Sequence, residues 1–326
     1  MQLATGAPGA RILGIGSSQP EHVVTNADLE QRVETSDEWI RSRVGIAERR
    51  IADEKTSLPD MASEAGRRAL ADAGVDPSQL DAVVVATCTM PNPIPNAAAQ
   101  IATAVGANGV AAFDLNAACA GFCYALGVGS DMIRAGSTRH VLVIGAEKLS
   151  DWVDWDDRST CIIFADAAGA AVLGPAASDD EVGVGPVSWG SAGDLSPTIR
   201  VLDETTNKLF QEGQSVFRWA TTAIAPVALD ALDRAGLTPA DVDVLIPHQA
   251  NLRIVEAIAK KLRLKGARED MVVADDIVTS GNTSSASIPM ALDHMRAAGR
   301  VRSGDVLLLV GFGAGLSYAG QVVVCP

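Results

Sequence analysis

One cysteine in this chain stands where a thiol can act as a nucleophile. The segment Phe113-Asp114-Leu115-Asn116-Ala117-Ala118-Cys119-Ala120-Gly121-Phe122-Cys123 reads as a short strand ending near Leu115, then a helix from about Ala120 to Arg134. Cys119 falls at the junction, flanked by small residues that leave room around it. The first turn of a helix offers free N–H groups and about half a unit of positive charge, which favours thiolate over thiol. Cys123 lies one turn further in and reads as a core residue. Taken alone, Cys119 reads equally well as a packed core thiol.

A nucleophile needs a partner, and the chain has four histidines to offer. His22 lies in a polar loop, His140 stands directly before an apolar run, and His294 shares a helix with Asp293 and Arg296, a solvated setting. His248 differs: it follows the apolar run Val244-Leu245-Ile246-Pro247 and opens His248-Gln249-Ala250-Asn251-Leu252-Arg253. Catalytic groups in open α/β sheets gather where strands end, which makes His248 the best base candidate, with a capping or core histidine as the plain alternative. Ser280-Gly281-Asn282-Thr283-Ser284-Ser285-Ala286-Ser287 is a turn entering another helix; its Asn282 adds a carboxamide, although a lone Asn there is most often a cap. Val310-Gly311-Phe312-Gly313-Ala314-Gly315 lacks the GxGxxG spacing of a nucleotide loop. It reads instead as a close-approach turn that offers a backbone N–H to an oxyanion. No grouping of Cys and His has ligand spacing, so no metal is expected.

These groups need a scaffold. The chain has 326 residues, of which 48% are hydrophobic and 20% charged, enough apolar side chains for a substantial core. Continuous apolar runs at Ala82–Val85, Val141–Ile144, Val244–Ile246 and Val306–Val310 alternate with Ala-rich helical stretches. Runs without in-out alternation are strands covered on both faces, so the pattern predicts α/β architecture with sheets between helices. An internal repeat sharpens it. Residues 69–83 (ALADAGVDPSQLDAV) and 231–245 (ALDRAGLTPADVDVL) share six of 15 positions at an offset of 162, each reading helix, Gly cap, Pro-containing loop and strand. Met132-Ile133-Arg134-Ala135-Gly136 and Met295-Arg296-Ala297-Ala298-Gly299 echo each other at an offset of 163, each ahead of a strand. The first helix of the repeat has its own start signal in Ser57, Pro59 and Asp60. The repeat predicts two α/β halves, residues 1–180 with Cys119 and 181–326 with His248 and Asn282, packed as one unit. At that offset Asn282 nearly coincides with Cys119, so two related helix starts would face one another. The polar stretch from Ser188 to Gly213 reads as a long surface or cavity-lining segment.

Charge excludes some partners. Lys+Arg is 26 against Asp+Glu 40, a net charge of −14, which repels nucleic acid and anionic membranes. No apolar stretch approaches the roughly 18 residues of a spanning helix. The first twenty residues lack the basic start and apolar core of a signal peptide, so a cytoplasmic location is expected. The five cysteines are odd in number and irregularly spaced, which argues against a disulfide framework. Against the acidic background, Arg253, Lys260, Lys261, Arg263, Lys265 and Arg268 crowd 16 positions after His248, a docking site for an acidic partner or simply a solvated helix. Arg41, Arg43, Arg49 and Arg50 near Trp39 form a second concentration, suited to a phosphorylated, aromatic ligand.

Together the motifs Thr35-Ser36-Asp37-Glu38-Trp39-Ile40, Ala117-Ala118-Cys119-Ala120-Gly121-Phe122, His248-Gln249-Ala250-Asn251-Leu252-Arg253, Gly281-Asn282-Thr283-Ser284 and the Gly-rich stretch near the C-terminus resemble the β-ketoacyl-acyl-carrier-protein synthase III family. The resemblance spans essentially the whole chain. It implies a thiolase-like fold, a duplicated five-layer αβαβα sandwich, and a homodimer. It implies that Cys119 takes an acyl group from acyl-CoA, that His248 and Asn282 hold malonyl-acyl-carrier protein for decarboxylation and Claisen condensation, and that the N–H groups of Cys119 and Ala314 form the oxyanion hole. It places Thr35, Trp39, Arg43, Arg158 and Asn251 against CoA and makes Gln249, Ala250, Asn251, Leu252, Arg253, Lys260 and Lys261 a carrier-protein docking edge. Ile94, Ile163, Phe164 and Phe312 would form the acyl pocket, with no cofactor beyond the CoA thioester substrate. Two departures bear on the acyl primer: Phe164-Ala165-Asp166-Ala167-Ala168-Gly169-Ala170 carries alanines where the family has glycines, and Ile94 sits in the unusual Met90-Pro91-Asn92-Pro93-Ile94-Pro95. An acyl-CoA acyltransferase without condensation is the alternative, although simple transfer needs no His-Asn pair.

Overall fold

The computed structural model describes residues 4–202 and 208–326. Five strands of the first half, β1 (Ala10–Ser18), β2 (Ala82–Ala86), β3 (Ala111–Leu115), β4 (Val141–Lys148) and β5 (Asp166–Pro175), form one sheet in the order β1-β5-β4-β2-β3. β2 runs parallel to β3 and β4, and β5 runs antiparallel to β4 and β1. The second half repeats this strand for strand. β6 (Ser188–Ser191), β7 (Val244–Pro247), β8 (Val272–Val273), β9 (Val306–Phe312) and β10 (Ser317–Val324) lie in the order β6-β10-β9-β7-β8 with the same pattern of directions.

The longer helices are α1 (Asp37–Val44), α2 (Leu58–Ala73), α3 (Ala97–Val105), α4 (Gly121–Arg134), α5 (Gly213–Arg234), α6 (Leu252–Leu264) and α7 (Ser287–Ala297). α4 and α7 fill the space between the two sheets, where Phe122, Leu126 and Ile133 meet Ile288, Leu292 and Met295 in one core with Val84, Val143, Ile246 and Leu309. α2 and α3 cover the outer face of the first sheet, and α5 and α6 that of the second. The result is the five-layer αβαβα sandwich. Because both faces of each sheet are covered, neighbouring residues such as Val83 and Val84 are both fully buried, which is why the strands read as unbroken apolar runs.

Local signals account for the boundaries. Ser57 and Asp60 form a reciprocal capping box at the start of α2, and Gly74 ends it in the left-handed region at φ 63°. At the seam between the halves, Gly145 leaves space that no side chain can share: a Cβ there would lie 2.3 Å from the Ser285 carbonyl oxygen. That approach lets the turn before α7 reach the end of β4. The stretch from Ser188 to Gly213 is more structured than its composition suggests. It holds β6, a 3-10 segment Gly193–Thr198, and a hairpin of Ile199–Val201 with Leu209–Gln211; its residues 203–207 lie outside the described residues.

Candidate active site

Cys119 sits in a 3-10 turn, Ala118–Ala120, between the end of β3 and α4, and Ala118 before it takes a left-handed φ of 46°. Its side chain lines a cavity shared with Cys88, Phe164, Leu209, Trp219, His248, Asn282, Ser284, Phe312 and Ala314. Residues 119, 248 and 282, remote along the chain, thus reach one chamber at the seam between the halves.

His248 follows β7 directly, and its backbone N–H donates to the Val310 carbonyl at 2.8 Å, which ties it to β9. Its Nδ1 lies 2.7 Å from the Ser287 hydroxyl in the first turn of α7. Ser287 Oγ also accepts from the Gln249 N–H at 3.3 Å. Among the described residues no other acceptor takes the Ser287 hydroxyl hydrogen, so it is assigned to Nδ1, which leaves the ring proton on Nε2 as a donor. The ring meets Phe312 edge-on, with centroids 5.3 Å apart and planes at 72°. Burial pushes the His248 pKa down to about 3, so the imidazole is neutral at physiological pH.

Asn282 is stitched to the other half through its backbone: its N–H donates to Ile163 O at 2.9 Å and its carbonyl accepts from the Ala165 N–H at 2.9 Å. Its side-chain Oδ1 accepts from the Ser284 N–H at 2.9 Å. Both carboxamide N–H bonds are then left for the cavity.

The Cys119 thiol is pushed up to about 11, first by burial and further by the buried Glu147 carboxylate. The Ser284 hydroxyl and the N–H groups of Cys119 and Ala314 act in the opposite direction. The sequence reading expected the helix start to hold a thiolate; desolvation outweighs it, and the resting group is a thiol. Both of these backbone N–H groups therefore lie at the sulfur, one from the nucleophile's own turn and one from the Gly-rich turn after β9. Gly313 makes room for this: a Cβ there would come within 2.6 Å of Cys119 Cβ and 2.9 Å of its Sγ. Its φ of −177° is open to any residue, so space and not conformation requires glycine.

A second, outer cavity lies between α1, α5 and the start of α6, lined by Trp39, Arg43, Arg158, Phe217, Asn251 and Arg253. It shares Gln211, Val216 and Ala250 with the inner chamber, so the two cavities adjoin across these residues. The Arg158 and Arg43 guanidinium carbons lie 4.8 and 5.4 Å from the Trp39 ring centroid. Asn251 caps α6 through Oδ1 and donates to the Arg43 carbonyl at 3.0 Å, so it braces the wall. Thr35 is not among the lining residues of either cavity.

Several expected positions differ. Ile94 is 84% exposed, so it does not line its own chain's acyl cavity; three prolines keep Met90–Pro95 out of the sheet and carry it outward. Of the other pocket residues, Phe164 and Phe312 line the inner chamber and Ile163 the outer cavity. Gln249 is buried, with Nε2 donating to Pro247 O and Oε1 accepting from the Ile277 N–H, and so cannot dock a partner. Leu252 packs beneath α1 against Val44. Arg253 and Lys260 are exposed, one side of Lys261 is covered, and Ala250 lines both cavities. His294 is partly exposed and also paired: its Nδ1 lies 2.7 Å from Asp276 Oδ1. Ser284, Cys88, Leu209, Trp219 and Glu147 were not singled out from the sequence. The signal for Glu147 was a carboxylate following the apolar run Val141–Ala146 within the same buried strand. Among the described residues no group of three or more His, Cys, Asp or Glu is placed to hold a metal ion.

Known proteins resemble this chain in sequence and fold. The family described as 3-oxoacyl-[acyl-carrier-protein (ACP)] synthase III matches residues 113–193, and its C-terminal counterpart matches residues 232–325. β-Ketoacyl-[acyl-carrier-protein] synthase III 4 of Streptomyces coelicolor is 50% identical over 98% of this chain and 99% of its own. The mycobacterial β-ketoacyl-[acyl-carrier-protein] synthase III of Mycobacterium avium is 48% identical over 99% and 97%. Among solved structures, the priming β-ketosynthase of a polyketide biosynthetic pathway superposes with a TM-score of 0.94 at 41% identity, over 100% of this chain and 98% of that one. The 3-oxoacyl-[acyl-carrier-protein] synthase III of Aquifex aeolicus gives 0.90 at 41% identity, over 97% and 100%.

Proposed function

This chain belongs to the β-ketoacyl-acyl-carrier-protein synthase III family, and from that premise we propose how its residues divide the work of an initiating condensing enzyme. It is an acyltransferase that uses acyl-CoA and malonyl-acyl-carrier protein. The Cys119 sulfur attacks the thioester carbon of acyl-CoA, the carbon–sulfur bond to CoA breaks, and acyl-Cys119 and CoA result. The N–H groups of Cys119 and Ala314 hold the oxyanion that forms on the way. Malonyl-carrier protein then binds. The Nε2–H of His248 and the carboxamide of Asn282 donate to its thioester carbonyl, on which the enolate charge collects as CO2 leaves. The imidazole, although neutral, keeps the one N–H that this role needs. The enolate carbon attacks acyl-Cys119, giving β-ketoacyl-carrier protein and a free thiol once a proton returns to sulfur.

The outer cavity takes CoA: Arg43 and Arg158 around Trp39 offer charge for phosphates beside an aromatic face. The exposed Arg253 and Lys260 on α6, with Lys261, face an acidic carrier protein. The chain works as a homodimer, supported by the open edge of β3, whose residues are only partly covered, and by Ile94, which a second copy would bury. In that arrangement Ile94 belongs to the partner's acyl cavity. A cytoplasmic location accords with the absence, among the described residues, of any helix long and apolar enough to cross a membrane.

The observation that carries this reading is the convergence of Cys119, His248 and Asn282 on one chamber adjoining the outer cavity. Intact-mass spectrometry after exposure to mixed acyl-CoAs tests it. One acyl mass per chain, mapped to Cys119, is expected, and the mass reports the primer. An adduct elsewhere, or none, refutes it.

A further inference from the structure

Acylation leaves one proton unaccounted for. Cys119 rests as a thiol, so something must take its proton as the sulfur attacks. His248 is poorly placed for this, because Ser287 fixes it as an Nε2–H donor.

Beside the sulfur lies a buried carboxylate with no cation to match it. Glu147, near the end of β4, is 0% exposed, and among the described residues no Lys or Arg pairs with it. Lys148 points the other way along the strand and donates to Asp53 O. Burial raises the Glu147 pKa, and hydrogen bonds act against that rise: the Thr89 hydroxyl at 2.6 Å, the Cys88 N–H at 3.1 Å, the Thr87 hydroxyl at 3.2 Å and the Ser285 hydroxyl at 3.0 Å. The Ser284 hydroxyl donates to Oε1 at 3.1 Å, and Ser284 lines the inner chamber together with Cys119. Ser284 itself is held at a left-handed φ of 51° in the turn that carries Asn282. The titratable groups facing Glu147 are the Cys88 and Cys119 thiols.

We propose that Glu147 accepts the Cys119 proton through the Ser284 hydroxyl when the thiol attacks acyl-CoA. The thiol hydrogen passes to Ser284 Oγ while the hydrogen of Ser284 passes to Glu147 Oε1. The new sulfur–carbon bond forms, the bond to CoA breaks, and the departing CoA sulfur takes a proton back along the same chain. Glu147 ends as the carboxylate it began as. The physical advantage is charge conservation in a dry site: a thiolate beside an ionised Glu147 would bury two anions, whereas the relay only moves one.

The inference rests on Cys119 being the acylated residue, and the experiment separates the two. Acyl-Cys119 formation is followed by quenched-flow mass spectrometry across pH in the full-length wild type, Glu147→Gln and Ser284→Ala. Both variants are expected to slow acylation on the order of a hundredfold near neutral pH. Their rates should then climb roughly tenfold per pH unit, as solvent hydroxide supplies the thiolate in place of the relay. Variants that acylate within about twofold of wild type, or that are slowed equally at every pH as a purely structural defect would be, overturn the relay. If Glu147→Gln fails to fold, Ser284→Ala decides alone by the same pH criterion. A wild type that acquires no adduct on Cys119 overturns the assignment of the nucleophile, and the relay with it.

Discussion

His248 Nδ1 and Ser287 Oγ lie 2.7 Å apart, and this contact decides what the imidazole can do. Ser287 opens α7, so the helix that separates the two sheets also sets the histidine tautomer. Ser287→Ala removes the partner of Nδ1 and lets the proton sit on either nitrogen. The rate of CO2 release from malonyl-carrier protein is expected to fall about three- to tenfold, the worth of one lost hydrogen bond. An unchanged rate would mean that the tautomer is fixed by something else.

The same imidazole makes stability depend on acid. Its folded pKa of about 3 lies below the unfolded value of 6.5, so below 6.5 the unfolded chain binds a proton that the folded chain refuses. The contribution is intact above pH 6.5 and is lost as pH falls from there toward 3. Between pH 7 and 5, urea unfolding of the wild type should lose about 2 kcal/mol more than His248→Gln does. Equal losses would show that His248 takes up its proton in the folded chain as readily as in the unfolded one.

Gly313 presses on the nucleophile without being strained. Its extended backbone suits alanine, while an added Cβ would come within 2.6 Å of Cys119 Cβ. Gly313→Ala is therefore expected to cut acylation on the order of a hundredfold by displacing the sulfur from its two N–H donors. Wild-type formation of the acyl adduct in this variant would remove the oxyanion site from this turn.

The two half-reactions use different groups. Cys119→Ala should abolish acyl-enzyme formation while leaving decarboxylation of malonyl-carrier protein largely in place, because the donors of His248 and Asn282 are untouched. Mass spectrometry and CO2 release read the two separately, and an acyl adduct on the variant would exclude Cys119.

Charge reversal on α6 tests docking. Lys260→Glu with Lys261→Glu should raise KM for malonyl-carrier protein several-fold, and the effect should fade at high salt as exposed charges are screened. The acyl-CoA half-reaction, which involves no carrier protein, serves as the comparison. Equal losses in both would place the carrier protein elsewhere.

Much of this molecule was legible in its sequence because the signals are local. Apolar runs such as Val306–Val310 marked strands buried on both faces, and Gly74 marked a helix end, since each depends on a few adjacent residues. The repeat at an offset of 162 gave the duplicated halves, because sheets with the same strand order need the same succession of helices and strands. Motif order singled out Cys119, His248 and Asn282.

What the sequence could not supply was direction and surroundings. Gln249 and Arg253 lie four residues apart in one motif, yet one is buried against Pro247 and Ile277 and the other is exposed, because Pro247 ends a strand and Asn251 starts a helix. Ile94 follows a core strand but faces outward, since a loop's path depends on what packs beneath it. The thiol state of Cys119 follows from desolvation and from Glu147, a neighbour 28 residues on that no spacing rule connects to it. Side-chain type and periodicity are written along the chain; the dielectric around a sulfur, and which carboxylate shares it, exist only after the two halves have closed on each other.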